Sequence, residues 1–373
     1  MDISTDALPG SGPATVSVSD PGEIAAGLPH LIGFRPEESA VLISLAGDRG
    51  SQVGLTARAD LPPLAQVRAF ARALVRSVCT DRPSGVLLVV VSEAPDEPGS
   101  AEPGHAQAVL PHQRLVHEVL MALAERGVPL RDTLLVRAGR WWSYDCPHPC
   151  CAPGAGTPLP SEVTPLEVAS IVSGLVAAGS REELEARIDP PRGSAARAMG
   201  DVVLRIGREH AAAVHERGAG VVAREARSAV ESAAVRCRPD RAGGTPLTDA
   251  EVARLLWALR DPGVRDHALR LALGEHAAAM EALWTECTRR APAPLDAAPA
   301  TLLAVSAWLR GDGAMANVAL QRALDSEPGY PLAVLLSRAL AECLSPAELR
   351  AMIRASVPPG TEPTGRGSAR PAD

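Results

Sequence analysis

The spacing of apolar positions changes character near residue 160. Before that point strand-like and helix-like patterns alternate. Residues 15–19 alternate as a short strand and lead into Asp20-Pro21-Gly22-Glu23. That run offers an N-capping acid, a proline suited to the first helical position and a glutamate in the first turn. The helix it starts is predicted to end near Gly33. Residues 40–45 and 53–57 flank Gly47-Asp48-Arg49-Gly50, which reads as a hairpin. Leu64, Val67, Phe70, Leu74 and Val78 share one helical stripe. Residues 86–91 form an unbroken aliphatic run, as expected of a strand buried on both faces of a parallel sheet. A polar loop over 93–104 follows, then a helix marked by Leu115, Val119 and Leu123 and closed by Gly127, then a strand over 133–137. This βαβ pattern predicts an α/β domain over residues 1–160, with a mixed, partly parallel sheet and flanking helices.

Downstream the period is helical and capping signatures recur: Thr164 with Glu167, Ser180 with Glu183, Thr248 with Glu251, and Ser345 with Glu348. Val163/Val168, Leu247/Val252 and Leu344/Leu349 stand where hydrophobic staples would sit. An all-α region is therefore predicted, in two stretches over 161–290 and 291–356, followed by a Pro/Gly/Arg-rich tail over 357–373 that is predicted to be disordered. In the second stretch Pro294 and Pro328 lie 34 residues apart. Gly311-Asp312, Ala316, Ala323 and Leu324 fall between them, so the segment resembles one tetratricopeptide repeat, in which small residues let paired helices approach. A helical hairpin that completes a bundle is the alternative.

Composition narrows the functional classes. The net charge is −7, which argues against a nucleic-acid partner, because such binding rests on neutralising phosphates. Lysine is absent. That removes the Walker-A and kinase lysines, Schiff-base catalysis and the Ser-x-x-Lys nucleophile, none of which arginine can replace. Gly10-Ser-Gly12 lacks the third glycine of a dinucleotide loop, and neither His-Glu-x-x-His nor Gly-x-Ser-x-Gly occurs. No stretch reaches transmembrane length and the first residues carry no signal-peptide core, so no membrane association is expected. Seven cysteines without a framework pattern fit a reducing, cytoplasmic setting.

Two places hold candidate chemistry. Cys146, His148, Cys150 and Cys151 supply soft donors within six positions, and zinc is the ion such a set would take. Adjacent Cys150 and Cys151 are expected to point apart, so the reading favours a reduced, metal-free loop, with zinc as the minority outcome. The paired histidines, His112 with His117 and His210 with His215, read as solvated helix positions. The second place is the carboxyl end of the parallel strands, where open sheets bind ligands. Glu93, Arg137, Arg140, Trp141 and Trp142 collect there, and Arg137, Arg140 and the tryptophans would hold an anion or a flat ring; Arg35, whose plainer role is in the turn after the first helix, is a separate binding candidate. The plainer reading of the sheet end is a charged rim on a hairpin.

Three stretches carry a resemblance. They are residues 31–43 (with Gly33-Phe34-Arg35-Pro36), residues 140–159 (with Arg140-Trp141-Trp142-Ser143-Tyr144, Cys150-Cys151 and Gly156-Thr157-Pro158-Leu159), and the helical segment 308–340. The chain resembles the actinobacterial domain of unknown function 4192 family over nearly its whole length. The resemblance implies a high-GC actinobacterial origin and a cytoplasmic location, and it brings no assigned activity or catalytic residue. The leading expectation is a non-enzymatic interaction or regulatory protein that meets a protein partner through its C-terminal helices. The alternative is a small-molecule-binding protein or enzyme with its site at the sheet end beside the cysteine loop.

Overall fold

Asp20 starts the first helix, α1 (Pro21–Ile32), by accepting from the Gly22 N–H at 2.7 Å. Gly33 ends it in the left-handed region (φ 92°), where a β-carbon would be strained. The computed structural model describes residues 20–46, 52–99, 108–172, 176–239 and 246–356. The strand expected over 15–19, the hairpin tip at 47–50 and the tail over 357–373 lie outside the described residues.

Strands β1 (Ser39–Ala46) and β2 (Gln52–Asp60) pair antiparallel, as the hairpin pattern predicts. Helix α2 (Val67–Val78) leads to β3 (Gly85–Val91), which pairs antiparallel with β1. The expected helical stripe loses its first member. Leu64 lies in a separate 3-10 turn before α2 and is exposed, so the stripe begins at Val67. Two short strands, β4 (Glu97–Pro98), inside the loop the sequence suggests, and β5 (Ala108–Val109), beyond it, pair antiparallel. Helix α3 (Gln113–Ala124) then precedes β6 (Leu130–Arg137), which runs parallel to β3. Strands β7 (Arg140–Ser143) and β8 (Thr157–Pro158) complete a six-stranded mixed sheet of order β2-β1-β3-β6-β7-β8.

The continuous aliphatic run of β3 has the predicted cause. Val86, Leu88 and Val90 pack under α2 and α3, while Leu87 and Val89 face α1 on the other side. Helices cover both faces, so no polar alternation is needed.

The remaining elements are helical: α4 (Pro165–Val172), α5 (Arg181–Ala186), α6 (Ser194–Arg217), α7 (Ala219–Arg236), α8 (Asp249–Ala258), α9 (Pro262–Leu271), α10 (Ala277–Arg290), α11 (Ala297–Arg310), α12 (Gly313–Ser326), α13 (Pro331–Ala341) and α14 (Pro346–Ala355). Among the described residues the only strand-type pairing beyond residue 160 is an isolated bridge between Phe34 and Ala178. It ties the segment after α1 to the helical half, and Phe34 is buried in the helical core. Helix α4 packs on α1, so the first helix after residue 160 completes the α/β layer.

Thr248/Glu251 and Ser345/Glu348 form complete capping boxes. Ser180 accepts from Glu183 N–H at 3.2 Å, but the Glu183 carboxylate takes Gly179 N–H instead of that of Ser180. Val163 and Val168 are both exposed, so no buried staple forms there. One hydrophobic cluster joins α5 through α14. At its centre is α11, whose residues from Ala297 to Leu309 are buried at every position except Ala298. A rung of an open repeat array keeps one side free. Helix α11 instead touches α9, α10, α12, α13 and α14, so the Pro294–Pro328 segment serves as the core of a bundle. Among the described residues no helix is long and apolar enough to cross a membrane.

Candidate functional site

At the carboxyl ends of the parallel pair β3 and β6 the chain builds a knot of polar side chains. Ser92 follows β3 and is 1% exposed. Its hydroxyl donates to Glu38 Oε2 at 2.8 Å and accepts from Ala94 N–H at 3.2 Å. His112 Nε2 lies 2.9 Å from the same oxygen. Since Ser92 gives its single proton to Glu38, His112 acts as donor through Nε2, and the serine is not poised as a nucleophile with a histidine base. Glu38 also accepts from Glu93 N–H at 2.8 Å, and Glu97 accepts from His112 N–H at 3.2 Å. Burial lowers the His112 pKa, against the opposing pull of Glu38 and Glu97. His112 stands just before α3 at φ 63°, so it is no solvated helix position as its sequence spacing suggests; His117 is exposed on that helix.

The six candidates expected at or near this end separate. Arg137 donates to Ala94 O at 2.7 Å and to Asp96 Oδ1 at 2.9 Å, and its guanidinium lies 4.8 Å from the Trp142 ring centroid. Arg140 donates to Ala155 O at 3.0 Å and Gly156 O at 2.7 Å. Both arginines therefore brace backbone of their own chain. Trp141 and Trp142 are adjacent on β7 and point to opposite faces: Trp142 is buried under α2 and α3, and Trp141 packs on the α1 side. Glu93 is exposed and accepts from Ala138 N–H at 3.0 Å. Arg35 is exposed, and its backbone N–H donates to Ala178 O at 3.1 Å. Arg137 and Arg140 flank a hairpin, and of the two only Arg140 stands on its exposed rim; the Arg137 side chain is largely buried. Ala138 and Gly139 both have positive φ (48° and 72°), the geometry of a two-residue hairpin turn between β6 and β7. The hairpin is part of the plainer sequence reading; the Ala-Gly step between two strand-like runs marks its turn. Sequence reasoning missed Glu38, Asp96, Glu97 and Tyr144, whose hydroxyl donates to Pro111 O at 2.7 Å. No spacing rule links residues that meet only across a sheet end.

The cysteine loop hangs from β7. Trp142 Nε1 donates to Ala152 O at 3.3 Å, and Gly156 packs so close to the Trp142 ring that a β-carbon there would sit 2.4 Å from it. Contrary to the expectation that neighbouring cysteines diverge, the Sγ atoms of Cys146, Cys150 and Cys151 all lie within 4.8 Å of one another. His148 stands outside this cluster and is exposed. A backbone hydrogen bond from His148 pulls the Cys146 thiol down, whereas burial pushes Cys151 up to about 11.

A third feature was not expected at this position. A groove of about 440 Å³ runs between α6, α7 and α8. Its floor is apolar and partly of small residues, with Ile206 and Ala213 from α6, Ala226 and Ala229 from α7, and Leu247 and Leu255 around α8. Arg217 pairs with Glu225 at 2.8 Å and Arg236 with Glu251 at 2.5 Å along its rim. His210 stacks on Trp257, with centroids 6.5 Å apart, and burial lowers its pKa. His215, five residues on, is exposed.

Searches of curated proteins and of solved structures return no significant match. The model of a domain of unknown function, DUF4192, matches residues 21–347, which takes in the sheet, the cysteine loop and most of the helical bundle, and the chain belongs to that family.

Proposed function

We propose that this protein is a non-enzymatic binding protein whose helical half receives an amphipathic helix of a protein partner. The observation that carries this reading is the α6/α7/α8 groove. Its α6 wall extends from Ile206 to Arg217, about 16 Å at 1.5 Å per residue, or roughly three helical turns. Alanines at 213, 226 and 229 let a backbone approach, and paired charges of both signs along the rim suit the polar flanks of such a helix. The engagement of Arg137 and Arg140 by their own chain supports this reading over a ligand site at the sheet end. A cytoplasmic setting accords with seven free thiols, and an actinobacterial origin with arginine as the sole long basic residue.

The test is a photo-cross-linking residue placed at Ala229 in the native host, with Leu204, exposed on α6 outside the groove, as the control position. The expected product is a partner peptide with apolar residues at i, i+3, i+4 and i+7, captured from position 229 and not from 204. A synthetic copy should bind the purified protein and lose about tenfold or more in affinity to Ala229→Trp, which fills the groove. Equal affinity for that variant, or a captured segment without helical apolar spacing, overturns the reading.

A further inference from the structure

The cysteine loop brings together three thiols that the proposed partner groove does not use. Pro147 and Pro149 restrict the backbone between Cys146 and Cys150, and Pro149–Cys151 closes as a 3-10 turn through Cys151 N–H to His148 O at 3.0 Å. The result is a set of Sγ···Sγ separations of 4.0 Å for Cys146 with Cys150 and 4.0 Å for Cys150 with Cys151. Thiolates bound at ~2.3 Å to a tetrahedral zinc lie about 3.8 Å apart, and a disulfide requires ~2.05 Å. Two edges thus stand close to the spacing of a coordination tetrahedron, and the third, Cys146 with Cys151, is at most 4.8 Å.

The surroundings hold that arrangement in place. Ser143 N–H donates to Cys151 Sγ at 3.3 Å, the kind of backbone contact that stabilises a ligating thiolate. Gly156 N–H donates to Cys150 O at 3.0 Å, and Arg140 clamps the two carbonyls that follow the turn. The nearby carboxylates are spent elsewhere: Asp145 accepts from Thr133 Oγ1 at 2.7 Å, and Asp132 from Ser143 Oγ at 3.0 Å. Cys151 is buried and Cys150 exposed, so the cluster has a dry side and an open side.

We infer that Cys146, Cys150 and Cys151 form a binding site for a thiophilic divalent ion, zinc, which they hold as three thiolates. The fourth position is left to an exogenous ligand such as water. Loading the site releases the three thiol protons to solvent and changes no oxidation state.

Elemental analysis of full-length protein, purified without chelator or metal-affinity resin, should find one zinc per chain. After zinc removal, titration with Co²⁺ should produce thiolate-to-cobalt charge transfer and intense tetrahedral d–d bands that saturate at one equivalent. Both signals should vanish in Cys146→Ser and Cys150→Ser and persist in Cys79→Ser, whose thiol lies outside the cluster. Circular dichroism of the variants separates lost ligands from a lost fold, and the wild-type cobalt spectrum stands without any variant. Absence of the cobalt bands while all three thiols remain reactive overturns the inference. So does a native mass short by the two hydrogens of a Cys146–Cys150 disulfide.

Discussion

Arg137 lays its guanidinium over the ring of Trp142, 4.8 Å from the centroid, while its nitrogens hold Ala94 O and Asp96. Two residues that the sequence offers as ligand contacts are thus each other's partners. With side-chain exposures of 13% for Arg137 and 17% for Asp96, the ion pair is largely shielded from water. Removing the arginine leaves Asp96 and Ala94 O without their donor. Arg137→Ala is expected to cost about 2–4 kcal/mol by urea denaturation, and Arg137→Lys to recover only part, because an ammonium cannot both stack and fork. An unchanged midpoint would free Arg137 for a binding role.

Acid should weaken the α8 start. The Arg236 guanidinium, with the Thr248 backbone and hydroxyl, holds the Glu251 carboxyl down to about 2. Its folded pKa lies below the unfolded value of ~4.3, so this stabilisation is fully present above that value and is lost as pH falls toward 2. Glu251→Gln should flatten that part of the stability–pH curve. Thr248→Ala should cost about 1 kcal/mol at neutral pH through the lost cap.

A second pH dependence belongs to His112. Burial lowers its pKa, so the fold favours neutral imidazole; stability is full above ~6.5 and declines as pH falls through the folded value. The imidazole NMR titration of His112 should have its midpoint below ~6.5. In His112→Asn, which tolerates the left-handed backbone at this position, that share of the decline should disappear. A midpoint above the model-compound value would contradict the assignment.

Ala316 and Ala323 are both 0% exposed on α12, where it packs against α11. Ala323→Leu should overpack that contact and lower stability by about 1–3 kcal/mol in a denaturant titration. A neutral result would mean that the helices separate more readily than their burial implies.

Local periodicity was enough to place most elements. Asp20-Pro21 and Gly33 bound α1, the aliphatic run at 86–91 became the central strand, and Thr248/Glu251 and Ser345/Glu348 start α8 and α14, because each depends on neighbours within a few residues. Leu64 failed the same reasoning: its spacing from Val67 is helical, but Pro62-Pro63 opens the segment as a separate 3-10 turn and leaves it exposed, outside the stripe. The cysteine set was legible as a local group, whereas the sheet-end polar constellation was not. Ser92, Glu38 and His112 meet from three separate segments because β3 lies between β1 and β6 with α3 crossing over, a pairing order that no local pattern carries. The three-thiol cluster likewise depends on a 3-10 turn held from β7 by Arg140 and Trp142, which turns adjacent cysteines toward one point. The groove exists only because α6, α7 and α8 pack around small residues whose sequence spacing suits a filled interface equally well. Composition and local period thus determined element type, caps and the α/β-then-α order. Which polar groups converge, and which alanines stay uncovered, was decided by long-range packing, where contacts between distant segments outweigh any preference of the residues themselves.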